Sequence, residues 1–261
     1  MTKFFKYYFP VLILAGFVLC FSLNLFSRNS KIQNNAEIKI QNDTETVIQK
    51  NAEKIQNNIK EPVNIEEKVP DKIFISVPFA SQAPFKIWDA LHEEACEEAS
   101  GIMLAYYLSG KKLTPAIAEQ EIQNLVKFEN KKFGDYKDTT ARQTADMISE
   151  FYSLDKIGKK LKVVYDFPKD DLKKYLAQGF PIIIPAAGRK LGNPNFTAPG
   201  PLYHNLVLVG YNNDTIITND PGTRKGEGYK YNIDILYNAI HDFPGKPENI
   251  EQGRKAMIVV E

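Results

Sequence analysis

The alternation of apolar and polar residues divides the chain into three unlike stretches. Residues 7–26, YYFPVLILAGFVLCFSLNLF, run without a single charge. About 20 apolar residues in a helix span the hydrocarbon core of a bilayer, so this stretch predicts one transmembrane helix. Residues 28–72 show the opposite pattern, with isolated Ile and Val among Asn, Gln, Lys and Glu. KIQNN occurs at 31–35 and again at 54–58, with KIQND at 39–43. No aromatic residue falls in this stretch, and so little apolar surface cannot offset the entropy of ordering it. A flexible polar spacer is expected, with a transient helix or a coiled coil between copies as the alternative.

Residues 73–261 carry the patterning of a packed domain. Lys72–Phe79 (KIFISVPF) reads as a strand, followed by a polar loop to Glu94. Ala95, Ala99, Ile102, Met103 and Tyr106 recur at i, i+3/i+4 spacing and predict a helix over 95–108 with one buried face. Gly110 stands where a left-handed cap would end it. Thr114-Pro115 pairs an N-cap with proline at the first helical position, opening a helix to about Phe128. Thr140 and Gln143 fit a capping box for a further helix to about Tyr152. Beyond that point 161–165, 180–185, 203–211, 215–219 and 256–260 read as strands. Two short helices, near 170–178 and 232–241, interrupt them. Helices first and a mostly antiparallel sheet afterwards predict an α+β fold.

Charge sharpens this division. The whole chain carries 33 Lys+Arg against 32 Asp+Glu, a formal net charge of +1, which gives no electrostatic reason to expect nucleic acid as a partner. Setting aside 2 basic residues in 1–27, and 8 basic and 8 acidic in 28–72, leaves 23 basic and 24 acidic in 73–261. The apolar run lacks the small residues of a signal-peptidase site, and Phe17-Val18-Leu19 before Cys20 lacks those of a lipidation site. An uncleaved signal anchor over 1–27 is therefore expected, with cleavage as its rival. So short an N-terminal flank stays inside, which places residues 28–261 outside the cytoplasm at the cell membrane.

Two Cys and three His limit the chemistry. A Cys-rich zinc site is excluded by count, and two Cys cannot staple a domain of this size. Cys96 falls in the first turn of the 95–108 helix, where the helix dipole favours a thiolate. A buried structural cysteine is the alternative. Glu93, Glu94, Glu97 and Glu98 would raise its pKa if close, although Glu97 and Glu98 also suit the dipole as first-turn acids.

His204 opens YHNLVLVGY, which turns at Asn212-Asn213-Asp214 and returns as TIITN. If Tyr211 pairs with Asp214 or Thr215, His204 faces position 221 or 222, and Asp220 lies one or two residues from direct opposition. A carboxylate there would orient the imidazole. An Asp220-Pro221-Gly222 turn beside a surface histidine is the other reading. His92 and Cys96, four apart, do not complete a zinc motif, so no metal or other cofactor is expected. His241 suits a helix end, and Trp88 reads as a loop anchor or groove wall.

Three segments together, VPFASQAPFKIWDALHEEACEEAS at 77–100, YHNLVLVGY at 203–211 and ITNDPGTRKGEGY at 217–229, resemble the papain-like cysteine peptidases of the bacteriocin-processing (double-glycine leader) peptidase-like family. The resemblance covers most of 73–261 and runs in the family's order of Gln, Cys, His and Asp. It implies a papain-like fold and a thiol-dependent hydrolase with a peptide or protein substrate. By the same resemblance Cys96 is the nucleophile, His204 the base and acid, Asp220 its orienting partner, and Gln82 an oxyanion-hole donor with the Cys96 N–H. Glu97-Glu98 departs from the small residues often found after the nucleophile, which bears on the reactivity of Cys96. The expectation is a membrane-anchored cysteine peptidase. An amidase or transpeptidase acting on cell-wall peptide, and a tethered binding module without catalysis, are the alternatives. GRKLGNPNFTAPGPLY at 188–203 is expected to wall the substrate groove, and GTRKGEGY at 222–229 to form its other rim.

Overall fold

Local signals in the sequence place the first three helices among the described residues. The computed structural model describes residues 69–261; the expected signal anchor (1–27) and nearly all of the spacer (28–72) lie outside the described residues. Among the described residues no helix is long and apolar enough to cross a membrane. Helix α1 spans Cys96–Ser109 and ends at Gly110, which takes φ 64. Helix α2, Pro115–Lys132, starts on a Thr114 side chain that accepts from the Ile117 N–H. It runs four residues past the expected end. Helix α3, Ala141–Phe151, opens on the complete Thr140–Gln143 capping box.

Helix α1 departs from the sequence pattern. Rather than one buried face, every residue from Cys96 to Ala105 is buried. It packs against α2 and α3 and also against the sheet, so each of its sides meets protein. Packing is tight enough that a Cβ on Gly101 would lie 2.8 Å from Ile148 Cγ1 of α3. A helix enclosed in this way has no solvent face, which is why its apolar periodicity is weak.

Seven strands form one antiparallel sheet: β1 (Lys72–Phe74), β2 (Leu161–Tyr165), β3 (Ile182–Ala187), β4 (Tyr203–Asn212), β5 (Thr215–Asn219), β6 (Tyr229–Asn232) and β7 (Ala256–Val260). Their order is β2-β7-β3-β4-β5-β6, with β1 paired to β4 beyond the end of β3. Short helices α4 (Asp171–Ala177) and α5 (Ile233–Ala239) lie where the pattern placed them. Strand β6 has no counterpart in that pattern, being four residues long with only Tyr229 and Tyr231 alternating. Central strands β3, β4 and β7 are buried on both faces, apart from Asn212 at the end of β4, and supply most of the core with α1.

The β4–β5 hairpin turns one residue later than expected, at Asn213-Asp214, with Asn212 opposite Thr215 and Tyr211 opposite Ile216 rather than Asp214 or Thr215. An irregularity between Leu208 and Gly210 then shifts the register by one, so that Val207 faces Asn219. Extra residues of this kind bend a strand and re-aim its side chains. Gly210 is needed at this point, because a Cβ there would meet Ile73 O of β1 at 2.3 Å.

Candidate active site

The start of α1 abuts β4, and this contact brings the Cys96 thiol to the backbone of the residue after His204. The Asn205 N–H donates to Cys96 Sγ at 3.3 Å. Cys96 is free and buried, and it follows Ala95, an N-cap without a side-chain hydrogen bond. The orphan N–H groups of that first turn are thus not satisfied by a capping side chain. The thiol itself donates to Glu97 Oε2 at 2.9 Å. Burial pushes the Cys96 thiol well above its usual range, Glu97 adds to the rise through its charge and the hydrogen bond, and the Asn205 N–H opposes them.

Beneath Cys96 lies a set of buried carboxyls. Glu97, Glu98 and Glu129 are all fully enclosed. Burial lifts Glu97 well above the ordinary carboxyl range, reinforced by Glu98, while the Cys96 thiol and the Thr139 N–H (3.0 Å to Oε1) pull it down. Burial raises Glu129 to about 8. Burial and the Glu129 charge raise Glu98 well above its usual range, as expected when neighbouring carboxyls cannot both ionise. The two glutamates after Cys96 are therefore interior groups, not surface acids at a helix dipole.

His204 and Asp220 meet across the β4–β5 edge. His204 Nε2 donates to Asp220 Oδ1 at 2.8 Å, with both side chains enclosed. His204 is not a surface residue, being only 1% exposed. A carboxylate is an acceptor, so Nε2 is the donor, and in the neutral tautomer that this bond selects, Nδ1 carries the lone pair. Asp220 takes three further hydrogen bonds: Gly222 N–H at 3.0 Å, Tyr231 Oη at 2.6 Å and Asn193 Nδ2 at 3.1 Å. Burial pushes this carboxyl up, but His204, Tyr231 and the Gly222 N–H outweigh it and hold Asp220 below its usual range.

The turn Asp220–Gly222 is built to the dimensions of the imidazole. A Cβ on Gly222 would lie 2.8 Å from His204 Cε1 and 3.0 Å from Phe196 Cε1. Phe196, from the 188–203 loop, meets the His204 ring edge to face with centroids 5.3 Å apart. Asn193, Tyr231 and Phe196 were not singled out by sequence. Tyr231 was hidden because β6 itself was not legible, and Asn193 and Phe196 because a Gly/Pro-rich loop has no periodicity that reveals which residues turn inward.

Gln82 sits in the loop before α1, and its backbone N–H donates to Pro221 O at 3.1 Å. Its side-chain Nε2 donates to His92 O at 2.8 Å and Glu93 O at 3.1 Å, so both amide hydrogens are engaged just ahead of Cys96. His92 bridges Asp89 Oδ1 (2.7 Å) and Glu119 Oε2 (2.9 Å), tying this loop to α2. His241 Nδ1 meets Ala239 O at 3.1 Å. Trp88 lines a groove of about 610 Å³, along with residues of the 188–203 loop and of 222–225. Among the described residues no cluster of His, Cys, Asp and Glu is arranged to hold a metal ion.

A crystal structure from Bacillus anthracis, described as that of a C39-like peptidase, is similar at 16% identity over 73% of this chain and 98% of its own, with a TM-score of 0.46. No curated protein matches the chain. The model of the Peptidase C39 like family matches residues 74–243, a span that runs from the end of β1 past α5 and takes in Cys96, His204 and Asp220. The chain belongs to this papain-like C39 peptidase family, and its helices and antiparallel sheet are the fold of a C39-like peptidase.

Proposed function

We propose that the protein is a cysteine peptidase, held in the cell membrane by residues 7–26, that hydrolyses peptide bonds outside the cytoplasm. In this reading Cys96 is the nucleophile, His204 the base and then the acid, and Asp220 the group that orients His204. The observation that carries it is on β4, where one residue presents an imidazole bonded to Asp220 and the next bonds the Cys96 thiol. A thiol at a helix N-terminus bonded to the residue after His204, with His204 itself bonded to a carboxylate, supports the roles that acyl transfer requires.

The chemistry follows from those positions. His204 Nδ1 takes the proton from Cys96 Sγ as the sulfur attacks the scissile carbonyl carbon. Negative charge then develops on the carbonyl oxygen and is met by the Cys96 N–H at the start of α1. Gln82 joins it once one of its two amide hydrogens leaves a carbonyl. The imidazolium passes its proton to the departing amine, leaving a thioester on Sγ. A water molecule deprotonated by Nδ1 hydrolyses that thioester and restores the thiol.

The Cys96–Glu97 hydrogen bond favours a second reading, a tethered binding module without catalysis. Iodoacetamide labelling of Cys96 near neutral pH, together with cleavage of a peptide library, separates the two. Peptidase chemistry gives cleavage that is lost in Cys96→Ser, and labelling that slows at least about tenfold in His204→Ala. Labelling indifferent to His204, with no peptide cleaved, contradicts it.

A further inference from the structure

The groove of about 610 Å³ beside the candidate active site is lined by Lys86 and Trp88 of the loop before α1, by Asn195 of the 188–203 loop, and by Gly222, Arg224 and Lys225. It carries three cations and no carboxylate. This concentration is not a product of composition, since residues 73–261 hold 23 basic and 24 acidic residues. Elsewhere on the domain Lys132, Lys162, Lys169 and Lys173 each pair with an acid. Lys86, Arg224 and Lys225 have no ion pair or side-chain hydrogen bond among the described residues. Charges of one sign gathered in a concave site focus their field, so each adds more there than on an open surface.

The groove also leads to the chemistry. Gly222 lines it and simultaneously packs on the His204 ring, where a Cβ would lie 2.8 Å from Cε1. One residue therefore separates the groove from the imidazole. On the other wall the loop is fixed. Lys86 is held at φ 67, a region in which a lysine sits only when its surroundings impose it. Its N–H donates to Ala83 O at 2.9 Å. Beside it Trp88 is 38% exposed, an aromatic face available to an extended chain.

We propose that this groove binds an acidic segment of a peptide substrate, with Lys86, Arg224 and Lys225 meeting its carboxylates and Trp88 covering an apolar side chain beside them. The proposal rests on the peptidase reading of Cys96 and His204. A concave site one residue away from the imidazole suits a peptide better than the flat surface of an anionic bilayer, the other partner that cations and exposed aromatics attract.

Trp88 is the only tryptophan in the chain, so its emission reports on this groove alone. The experiment uses full-length Cys96→Ala protein in phosphatidylcholine nanodiscs made with a tryptophan-free scaffold, titrated with short tryptophan-free peptides that differ only in carrying Glu, Gln or Lys. The Glu peptide is expected to quench or shift Trp88 emission with at least about tenfold tighter apparent Kd than the Gln peptide, the Lys peptide being weakest. That preference should shrink as salt rises from about 50 mM to about 500 mM, and vanish in Arg224→Glu/Lys225→Glu. Equal binding of the Glu and Gln peptides overturns the proposal. So does a blue shift of Trp88 in phosphatidylglycerol discs without peptide, accompanied by no preference for Glu, which would assign the groove to lipid. Iodoacetamide labelling of Cys96 in the wild-type protein reports the other reading separately. Acidic preference with labelling indifferent to His204 removes the peptidase and keeps the groove, whereas His204-dependent labelling without that preference does the reverse.

Discussion

The Cys96 thiol donates to Glu97, its own neighbour in sequence, at 2.9 Å, so the sulfur faces a buried carboxyl as well as the strand that carries His204. Glu97 is anchored from its other oxygen by the Thr139 N–H, which fixes it against the thiol. After burial, Glu97 is the largest influence holding Cys96 in its protonated form. Glu97→Gln keeps an acceptor for Thr139 and removes the charge. Its iodoacetamide labelling at neutral pH should accelerate about tenfold, as the reactive thiolate becomes more populated. An unchanged rate would show that Glu97 does not restrain the thiol.

Asp220 is expected to act through His204, and its own partners act through it. Asp220→Asn leaves a side chain that can offer an N–H to Nε2, which favours the wrong tautomer. Peptide turnover should fall roughly 10²–10⁴-fold while the fold persists. Tyr231→Phe removes one hydrogen bond from Asp220 Oδ2 and leaves that of Asn193. Its cost should be smaller, about 1–3 kcal/mol, and seen in kcat more than in KM. Measuring kcat and KM for both variants checks the order; equal losses would contradict it.

Gly222 is required for a steric reason that sequence alone does not reveal. In Gly222→Ala the new methyl would sit against His204 Cε1 and Phe196 Cε1, at 2.8 and 3.0 Å. The imidazole or the turn must move, and displacement of a base by about 1 Å costs on the order of 10²-fold in rate. Turnover should collapse with only a small change in Tm. Wild-type turnover would show that the turn yields freely.

The buried carboxyls make stability depend on pH above the acid range. Glu129 is raised to about 8, so the folded protein holds its proton where the unfolded chain releases it. The contribution is complete below the ordinary glutamate range and is lost as pH rises through about 8. Asp138, raised to about 6, acts in the same direction. Tm should therefore fall between about pH 5 and about pH 8, and Glu129→Gln should flatten that fall by roughly 5 °C. A variant whose Tm parallels wild type throughout would contradict this.

What the sequence disclosed is what local signals encode. Gly110, Thr114-Pro115 and the Thr140–Gln143 box mark helix ends through backbone hydrogen bonds within a few residues, and the helices begin or end there. The nearness of Asp220 to His204 was legible because a hairpin relates the two strands by a short turn. The pairing next to the turn was not, with Tyr211 opposite Ile216; the irregularity between Leu208 and Gly210, which accompanies the close approach of β1, restores at Val207–Asn219 one of the two expected registers. Burial of Glu97 and Glu98 was likewise hidden. Acids in a first turn look alike whether the helix lies on the surface or is enclosed by α2, α3 and β4, and only tertiary packing decides between them. Asn193 reaches Asp220 from 27 residues away, a contact with no local signature.

Intact-mass spectrometry of the wild-type protein, quenched in acid during turnover of a cleaved peptide, tests the central claim most directly. The expected result is an adduct on Cys96 equal in mass to the acyl half of the peptide, released by hydroxylamine and absent from Cys96→Ser and His204→Ala. Cleavage that continues in Cys96→Ser with no adduct on the wild-type thiol would contradict it.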